Sequence, residues 1–526
     1  MIKTSKHAKF LSIALVIIMM AAMFGACSSS GTGTDSSAPS QTADSTASAS
    51  GGDDPVTVES NEPFEITIMT RTGTAEPPLP DNAVVKKIEE LTNTKLTIEW
   101  VAGAAYTEKV NAVVASNDYS MLTMFPNGDK RGIVEVEAVR AGMFWKVGDY
   151  IQNYENLKDL DKGTMANASI DGELWGLYRT RPLVRNGGYY RSDWAEKLGL
   201  SDPKNLDELT AMLRAFVNDD PDGNGVPDTG GLAQEESIDL LVAMLANWYG
   251  IGNGWEINDG TVVPAHDNPE YINMLKYIKS LYDEGLMNRD FATTSATQRD
   301  EMMAGKYGMA LVSIDKADLS LVPLQQTYPD ANFNVIVNFP DSPHPIWGRS
   351  GFDGLYYVSK KAVPEEADFL KIMEWFNWMY STEVNNLVYR GVEGEHYTKT
   401  GDNTITISDE QNAKYILEVN PMEQLAMRFT KNIYEVDNLP YYNAQVEAFF
   451  NGKYTGEVAQ NPTSPWDSET ATDKKGDLDQ IMKDARVKFI TGAIDEAGWN
   501  SEVERWGKSG GNDMVAEYQA VYDASK

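Results

Sequence analysis

Phe64-Glu65-Ile66-Thr67-Ile68 alternates apolar and polar residues, the period of a strand with one buried face. Asp81 then stands as a helix cap, and Val84, Ile88 and Leu91 recur at the spacing of one helix face. Leu96-Thr97-Ile98-Glu99-Trp100 returns to alternation. Strand, helix and strand so close together make an α/β unit, and an α/β fold follows from it. Met309 to Ser313, Phe333 to Val337 and Leu355 to Val358 read as further strands. The middle of the chain is helical. Asn205 to Glu208 has the capping-box pattern, with Leu206, Leu209, Met212, Leu213 and Phe216 as an apolar stripe behind it. Asn268-Pro269 opens a second helix, striped by Tyr271, Met274, Leu275, Ile278, Leu281 and Tyr282 and stopped by Gly285. Phe369, Ile372, Met373, Phe376 and Met379 form a third stripe, and Leu478, Ile481, Met482, Ala485 and Phe489 a fourth. No repeat of fixed period is present. Strands, then many helices, then strands again fit a chain that crosses more than once between two α/β lobes. The expected division puts 61–180 and about 310–360 in the first lobe, and 181–309 and about 361–526 in the second.

Composition narrows the function. Of 526 residues, 42% are hydrophobic and 10% aromatic, enough to bury large cores. Acidic residues number 78 against 45 basic ones, a formal charge of −33. Nucleic acid is thereby excluded as a partner, because phosphate binding needs a concentrated basic face. One cysteine and four histidines exclude a disulfide framework, a zinc-finger array and a cysteine redox pair.

Lys3, Lys6 and Lys9 precede an apolar run from Phe10 to Phe24, the charged and apolar regions of a secretory signal. The run is too short for a membrane span, which needs about 20 residues. It ends in Phe24-Gly25-Ala26-Cys27, and small residues before the only cysteine resemble a bacterial lipobox. Residues 1–26 are then a lipoprotein signal peptide and Cys27 carries diacylglycerol and a further acyl chain such as palmitate, an anchor stable by virtue of having more than one chain. The other reading is an ordinary signal beside an incidental cysteine. Residues 27–60, rich in Ser, Thr, Gly and Ala, read as a flexible tether.

Asp220-Pro221-Asp222-Gly223-Asn224-Gly225-Val226-Pro227-Asp228 spaces oxygen ligands as an EF-hand loop does. Asp220, Asp222, Asn224 and Asp228 take positions 1, 3, 5 and 9, Val226 offers its carbonyl at position 7, and Gly225 makes the turn at position 6. Gly231 stands where the closing Glu belongs. The loop reads as a structural Ca²⁺ site or as a tight Asp/Gly turn without an ion. Enzyme signatures are missing: there is no Gly-x-Ser-x-Gly, no Walker A and no His-Glu-x-x-His. Aromatic residues in Gly-rich or polar settings stand out instead, namely Trp175, Tyr190, Trp248, Trp255 and Trp347. Flat rings cover the C–H face of a sugar while Asp, Asn and Arg bond its hydroxyls; core packing is the competing role for each ring. Arg179, Arg181, Arg185 and Arg191 reverse the local charge, and arginine forks suit carboxylates, so an acidic sugar fits. Ion-paired surface arginines are the alternative.

Asp171-Gly172-Glu173-Leu174-Trp175-Gly176-Leu177 and Tyr190-Arg191-Ser192-Asp193-Trp194-Ala195-Glu196-Lys197-Leu198-Gly199-Leu200 carry a family resemblance. So do the Asp220 loop, Ile490-Thr491-Gly492, and Trp506, Gly511, Tyr518 and Tyr522. In their order and spacing these segments resemble the family 1 extracellular solute-binding proteins of bacterial carbohydrate ABC importers, in particular the large Gram-positive lipoproteins and the alginate-binding proteins. The resemblance implies a periplasmic-binding-protein-like fold, with two type II lobes joined by hinge strands and ligand in the cleft between them. It also implies Ca²⁺ in the Asp220 loop, although Thr229 replaces an acidic residue usual there. The implied protein is a monomer, held by lipid at the outer face of the cell membrane. It hands an oligosaccharide, unaltered, to the permease of an ABC importer and is not an enzyme. Ligand contacts are expected from Trp175, Arg179, Tyr190, Arg191, Trp248, Trp255, Trp347 and Asp353. Two rivals stand: a secreted glycan-cleaving enzyme using an Asp/Glu pair, and a sugar sensor or adhesin on the same fold.

Overall fold

The computed structural model describes residues 62–526 except 73, 75, 127–131, 295, 315–316, 341, 343, 429–431 and 438–457. Cys27, the leader and the tether lie outside the described residues. Nine strands build the two larger sheets: β1 (Phe64–Arg71), β2 (Thr94–Val101), β3 (Leu122–Phe125), β4 (Gly176–Thr180), β5 (Asn186–Arg191), β6 (Gly230–Ala233), β7 (Tyr307–Ser313), β8 (Phe333–Ile336) and β9 (Phe352–Val358). The first sheet has the order β2-β1-β3-β9-β4, with β1 parallel to β2 and β3, and β9 antiparallel to β3 and β4. The second has the order β8-β5-β7-β6, with β5 antiparallel to both neighbours and β6 parallel to β7.

The alternation that opens the chain does what its period requires. Ile66 and Ile68 are fully buried and pair with Leu96 and Ile98 of β2. The helix between them, Ala83–Thr92, is capped by Asn82 rather than Asp81. Asn82 Oδ1 accepts from the backbone N–H of Val84 at 2.9 Å and of Val85 at 3.2 Å. Asp81 is one residue too early to reach those donors, and its carboxylate pairs with Lys86 instead. The other helix signals hold. Asn205 caps Leu206–Asn218 and Asn268 caps Pro269–Asp283, each through its side-chain oxygen.

Each sheet has its own core. Phe369, Ile372, Met373, Phe376 and Met379, on the helix Glu366–Met379, are buried in the core of the first sheet. Leu478, Met482, Ala485 and Phe489, on Glu469–Ile490, are buried in the core of the second. Burying each such side chain contributes about 1.5–3 kcal/mol before entropy is counted, so packing rather than intrinsic propensity holds these helices. The cores divide the chain differently from the expected boundaries. β7 and β8 flank β5 in the second sheet rather than joining the first. The chain from 366 to Met427 returns to the first core before the C-terminal helices join the second. Periodicity reveals which face of an element is buried, but not which core buries it.

The described chain thus passes between the two cores after β4 and again after β8, and it still packs beside the first core at Asn432–Val436, where Asn386 and Arg390 bond its backbone. The two passages run side by side: Arg181 N–H donates to Gly351 O at 2.8 Å and Arg349 N–H to Leu183 O at 2.9 Å. At the end of β4, Thr180 N–H donates to Met427 O at 2.8 Å, inside the first core.

β5 sits between β8 and β7, and Gly187 is the point of closest approach. A Cβ there would lie 2.9 Å from Ile336 O and 2.6 Å from Ile314 Cγ2. Gly187→Val is therefore expected to lower stability by about 1–3 kcal/mol, the cost of forcing a side chain into a filled space. A chemical unfolding midpoint equal to that of the parent would show that the strand can move aside.

Candidate functional site

The carboxyl ends of β1 and β4 and the start of β9 lie at one edge of the first sheet, because β9 runs against β4. In open α/β sheets this is the edge where ligands gather. A cluster of arginines occupies it. Asp353 sits at an irregularity, since the β9–β4 register shifts between Phe352 and Leu355, and Gly354 adopts φ 81° there. Such a bulge re-aims a side chain, and a left-handed residue in it favours glycine. The Asp353 carboxylate meets Arg71 Nη2 at 3.2 Å, Arg179 Nη1 at 3.3 Å and Arg181 Nη2 at 3.6 Å. Gln424 Oε1 accepts from Arg179 Nη1 at 2.8 Å and from Arg71 Nε at 3.1 Å. Arg179 Nη2 donates to Glu423 O at 2.8 Å, and the Glu423 carboxylate lies 3.8 Å from Arg181. The Arg179 side chain is 0% exposed and that of Arg181 10%, whereas Arg71 and Asp353 keep 30% and 34%. The cluster is therefore sealed beneath and open above.

Electrostatics follows from this arrangement. Burial, and then the neighbouring Arg181, pull Arg179 down to about 10, so it stays protonated at neutral pH. Burial works against ionisation of Asp353, but Arg179, Arg181, Arg71 and Arg185 together outweigh it and hold the carboxyl below its ordinary range.

The other expected contacts divide into two groups. Tyr190 is buried in the second core, its hydroxyl bonded to Asp202 and to Asn334. Arg191 is buried in a two-pronged pair with Asp193, at 2.8 and 2.6 Å, and its guanidinium lies 4.4 Å from the Trp194 ring centre. Trp248 is buried against Phe339, with its N–H on Val337 O. All three side chains are buried among protein partners in this structure. Trp175, Trp255 and Trp347 are half-buried. Trp175 packs on the first core, while Trp255 and Trp347 pack on the second. Trp347 is fixed by its N–H on Ile251 O at 3.0 Å, and the nearby Asn253 amide bonds Gly348 O at 2.7 Å. The sequence reading missed Arg71, Glu423 and Gln424. The one signal it had was an arginine ending an otherwise alternating strand.

The family model described as bacterial extracellular solute-binding protein matches residues 74–386. The chain belongs to the bacterial extracellular solute-binding protein family. This solute-binding protein is 32% identical to the polygalacturonan/rhamnogalacturonan-binding protein YtcQ of Bacillus subtilis, over 85% of its own length and 89% of the relative's. It is 30% identical to lipoprotein LipO of the same organism, over 88% and 93%. Among solved structures it resembles the HMO-binding, ABC-transporter-associated solute-binding protein of Bifidobacterium longum infantis, with TM-score 0.68, 18% identity and coverage of 88% and 99%. It also resembles an EF-hand mutant of the Streptococcus pneumoniae substrate-binding protein FusA in complex with fructo-nystose, with TM-score 0.62, 18% identity and coverage of 88% and 99%. These likenesses agree with a two-lobed, periplasmic-binding-protein-like α/β fold.

The Asp220 loop of the solute-binding protein curls as its spacing demands. Asp220 accepts from the N–H of Gly223 at 3.1 Å and of Gly225 at 3.0 Å. The Asn224 amide donates to Asp222 at 2.8 Å and to Asp228 at 3.2 Å, so one side-chain NH₂ bridges two carboxylates. Three carboxylates, an amide oxygen and a carbonyl are a hard-oxygen set that suits Ca²⁺. Asn224 would have to turn its oxygen inward to join it. Thr229 contributes nothing, as its hydroxyl donates to Phe216 O at 2.7 Å, and Gly231 lies in β6. Among the described residues no group of three or more His, Cys, Asp or Glu side chains is arranged to hold a metal.

Asp353→Asn leaves buried Arg179 short of a counter-charge and is expected to cost about 1–3 kcal/mol of stability at neutral pH. The folded-state pKa of Asp353 lies below its unfolded value. Its contribution is therefore complete above the ordinary carboxylate pKa of about 3.9 and is lost as pH falls through the folded value. Denaturation of parent and variant between pH 8 and pH 3 should show a constant gap that narrows only at the acid end. A gap that closes above pH 5 would contradict the assignment.

Proposed function

We propose that this chain is an oligosaccharide receptor, tethered by lipid on Cys27 to the outer face of a bacterial cell membrane, that passes its sugar unaltered to the permease of an ABC importer. The observation that carries the reading is the arginine cluster around Asp353. In a chain of formal charge −33, arginines converge at the strand ends where such folds take ligand. Guanidinium forks match carboxylates in geometry and charge, so the favoured sugar is a short polyuronate. The name of the relative YtcQ points the same way. Half-buried Trp255 and Trp347 are the rings left to cover sugar faces, since Trp175 stands at the amino end of β4, the opposite edge of the sheet from the arginines. Family membership and the likeness to LipO support the extracellular, lipid-held location. Closure of the two lobes on the sugar would be a population shift driven by ligand. The lobe boundaries in this reading fall after Thr180, after Ile336 and beyond Val436.

Titration calorimetry with trigalacturonate should give saturable binding that weakens as salt rises, because the contact is partly ionic. Incubation should release no new reducing ends; their appearance would favour the glycan-cleaving alternative instead. Absence of binding to trigalacturonate and to a panel of neutral oligosaccharides alike would overturn the receptor reading.

A Ca²⁺ ion in the Asp220 loop belongs to the same proposal, supported by the oxygen set and by the existence of an EF-hand in FusA. An ion that binds only the folded state adds about 2.7 kcal/mol at one hundred times its dissociation constant. Chelator should therefore lower the melting temperature and added Ca²⁺ restore it, while Asp222→Asn with Asp228→Asn should abolish that response. A melting curve indifferent to chelator would remove the ion.

A further inference from the structure

Three guanidiniums at the strand ends already share one anion. Arg71 donates to both carboxylate oxygens of Asp353, at 3.2 and 3.3 Å, and Arg179 and Arg181 meet Oδ2 at 3.3 and 3.6 Å. These are the positions a ligand carboxylate would take from the open side. The Asp353 side chain is 34% exposed and Arg71 30%, so an arriving anion reaches both without displacing a buried wall. The cluster has a second, neutral acceptor in the same fork: Gln424 Oε1, held by Arg71 Nε and Arg179 Nη1. The Gln424 main chain is pinned independently, since its carbonyl accepts from the Tyr356 hydroxyl at 2.8 Å. Tyr356 in turn shares a hydrogen bond with Thr70, next to Arg71. The backbone at Gln424 is therefore held independently of the charge its side chain carries.

We propose that Asp353 is a resident counter-anion that sets the charge specificity of the site: it aligns Arg71 and Arg181 in the empty receptor and competes with the ligand's carboxylate for them. This rests on the reading of the strand-end cluster as the sugar site and goes beyond it by giving Asp353 a role opposite to a ligand contact. A hydroxyl-binding aspartate strengthens binding, whereas a resident anion weakens the binding of acidic sugars and leaves that of neutral ones unchanged. The favourable field at the cluster is the arginine charge less that of Asp353 and Glu423. Each change of one unit at 3–4 Å alters it substantially in a partly dry site.

Two substitutions of opposite sign test this. Asp353→Asn removes the resident charge and keeps the shape. Gln424→Glu adds a second charge where two arginine N–H groups already point. Calorimetry compares trigalacturonate with its fully methyl-esterified, uncharged form on parent, D353N and Q424E, with folding checked by circular dichroism. The expected result is binding of trigalacturonate about tenfold tighter in D353N and about tenfold weaker in Q424E, with the ester changed less than twofold in both. Arg71→Gln serves as the control on the site itself and should weaken trigalacturonate about tenfold. If R71Q weakens trigalacturonate but D353N binds it equally or less well, the resident-anion role fails and the site stands. If D353N does not fold, Q424E decides alone: unchanged affinity for trigalacturonate overturns the proposal. If R71Q changes nothing, the location of the site is wrong and both fall.

Discussion

Arg179 has no exposure to solvent, and a guanidinium does not shed its proton at neutral pH. Something within reach must therefore carry the opposite charge and fill its donors. That requirement organises the strand ends of the first lobe. Asp353 supplies the charge; Gln424 Oε1, Glu423 O and Asp353 O supply the remaining acceptors. The partners come from β9 and from the segment that closes the first core, far apart in sequence. One buried cation thus ties together parts of the chain that the sheet alone does not join. The bulge at Phe352–Leu355 and the left-handed Gly354 are the local cost of turning Asp353 toward it.

The same residues border the passages between lobes. Arg181 gives its side chain to the cluster and its N–H to Gly351, on the neighbouring passage. Thr180, between the two arginines, is bonded to Met427 of the first core. Arg71, Arg179 and Asp353 stand on β1, β4 and β9, whereas the backbone of Arg181 lies on a segment that crosses between the cores. In the proposed receptor, a charge arriving at the cluster would therefore reach a crossing segment through Arg181.

Local signals in the sequence carried part of the fold. Alternation located β1 and β2, the stretches at Met309–Ser313, Phe333–Val337 and Leu355–Val358 fall on β7, β8 and β9, and Asn205 and Asn268 mark helix starts because a cap acts within one turn. What the sequence withheld was partnership. The stripe on Glu366–Met379 is as apolar whether it faces one core or the other. Arg71 reaches its acceptor on Gln424 across 353 positions, beyond any periodicity. The Gly-rich setting of Tyr190 has a packing reason: Gly187 and Gly188 let β5 fit between β8 and β7, where a Cβ would strike backbone. Gly250 after Trp248 and Tyr249 serves to end a helix, with φ 72°, and does not expose the ring. Glycine beside an aromatic residue reports crowding or termination more readily than it reports an open surface.

A basic cluster inside a strongly acidic protein raises a question of order: it must exist before its ligand arrives. Arginines without an internal anion would repel one another and leave Arg179 uncompensated in the empty state, a penalty of several kcal/mol for a buried charge. With Asp353 in place the empty receptor folds and holds its donors aligned, so the ligand does not have to order them on arrival. The carboxylate that provides this stability is also the one an acidic ligand meets. The optimum for the fold and the optimum for affinity therefore pull the same position in opposite directions, as they do at many functional sites. In the proposed receptor that opposition would favour release, because the resident anion competes for the arginines that would hold an acidic sugar.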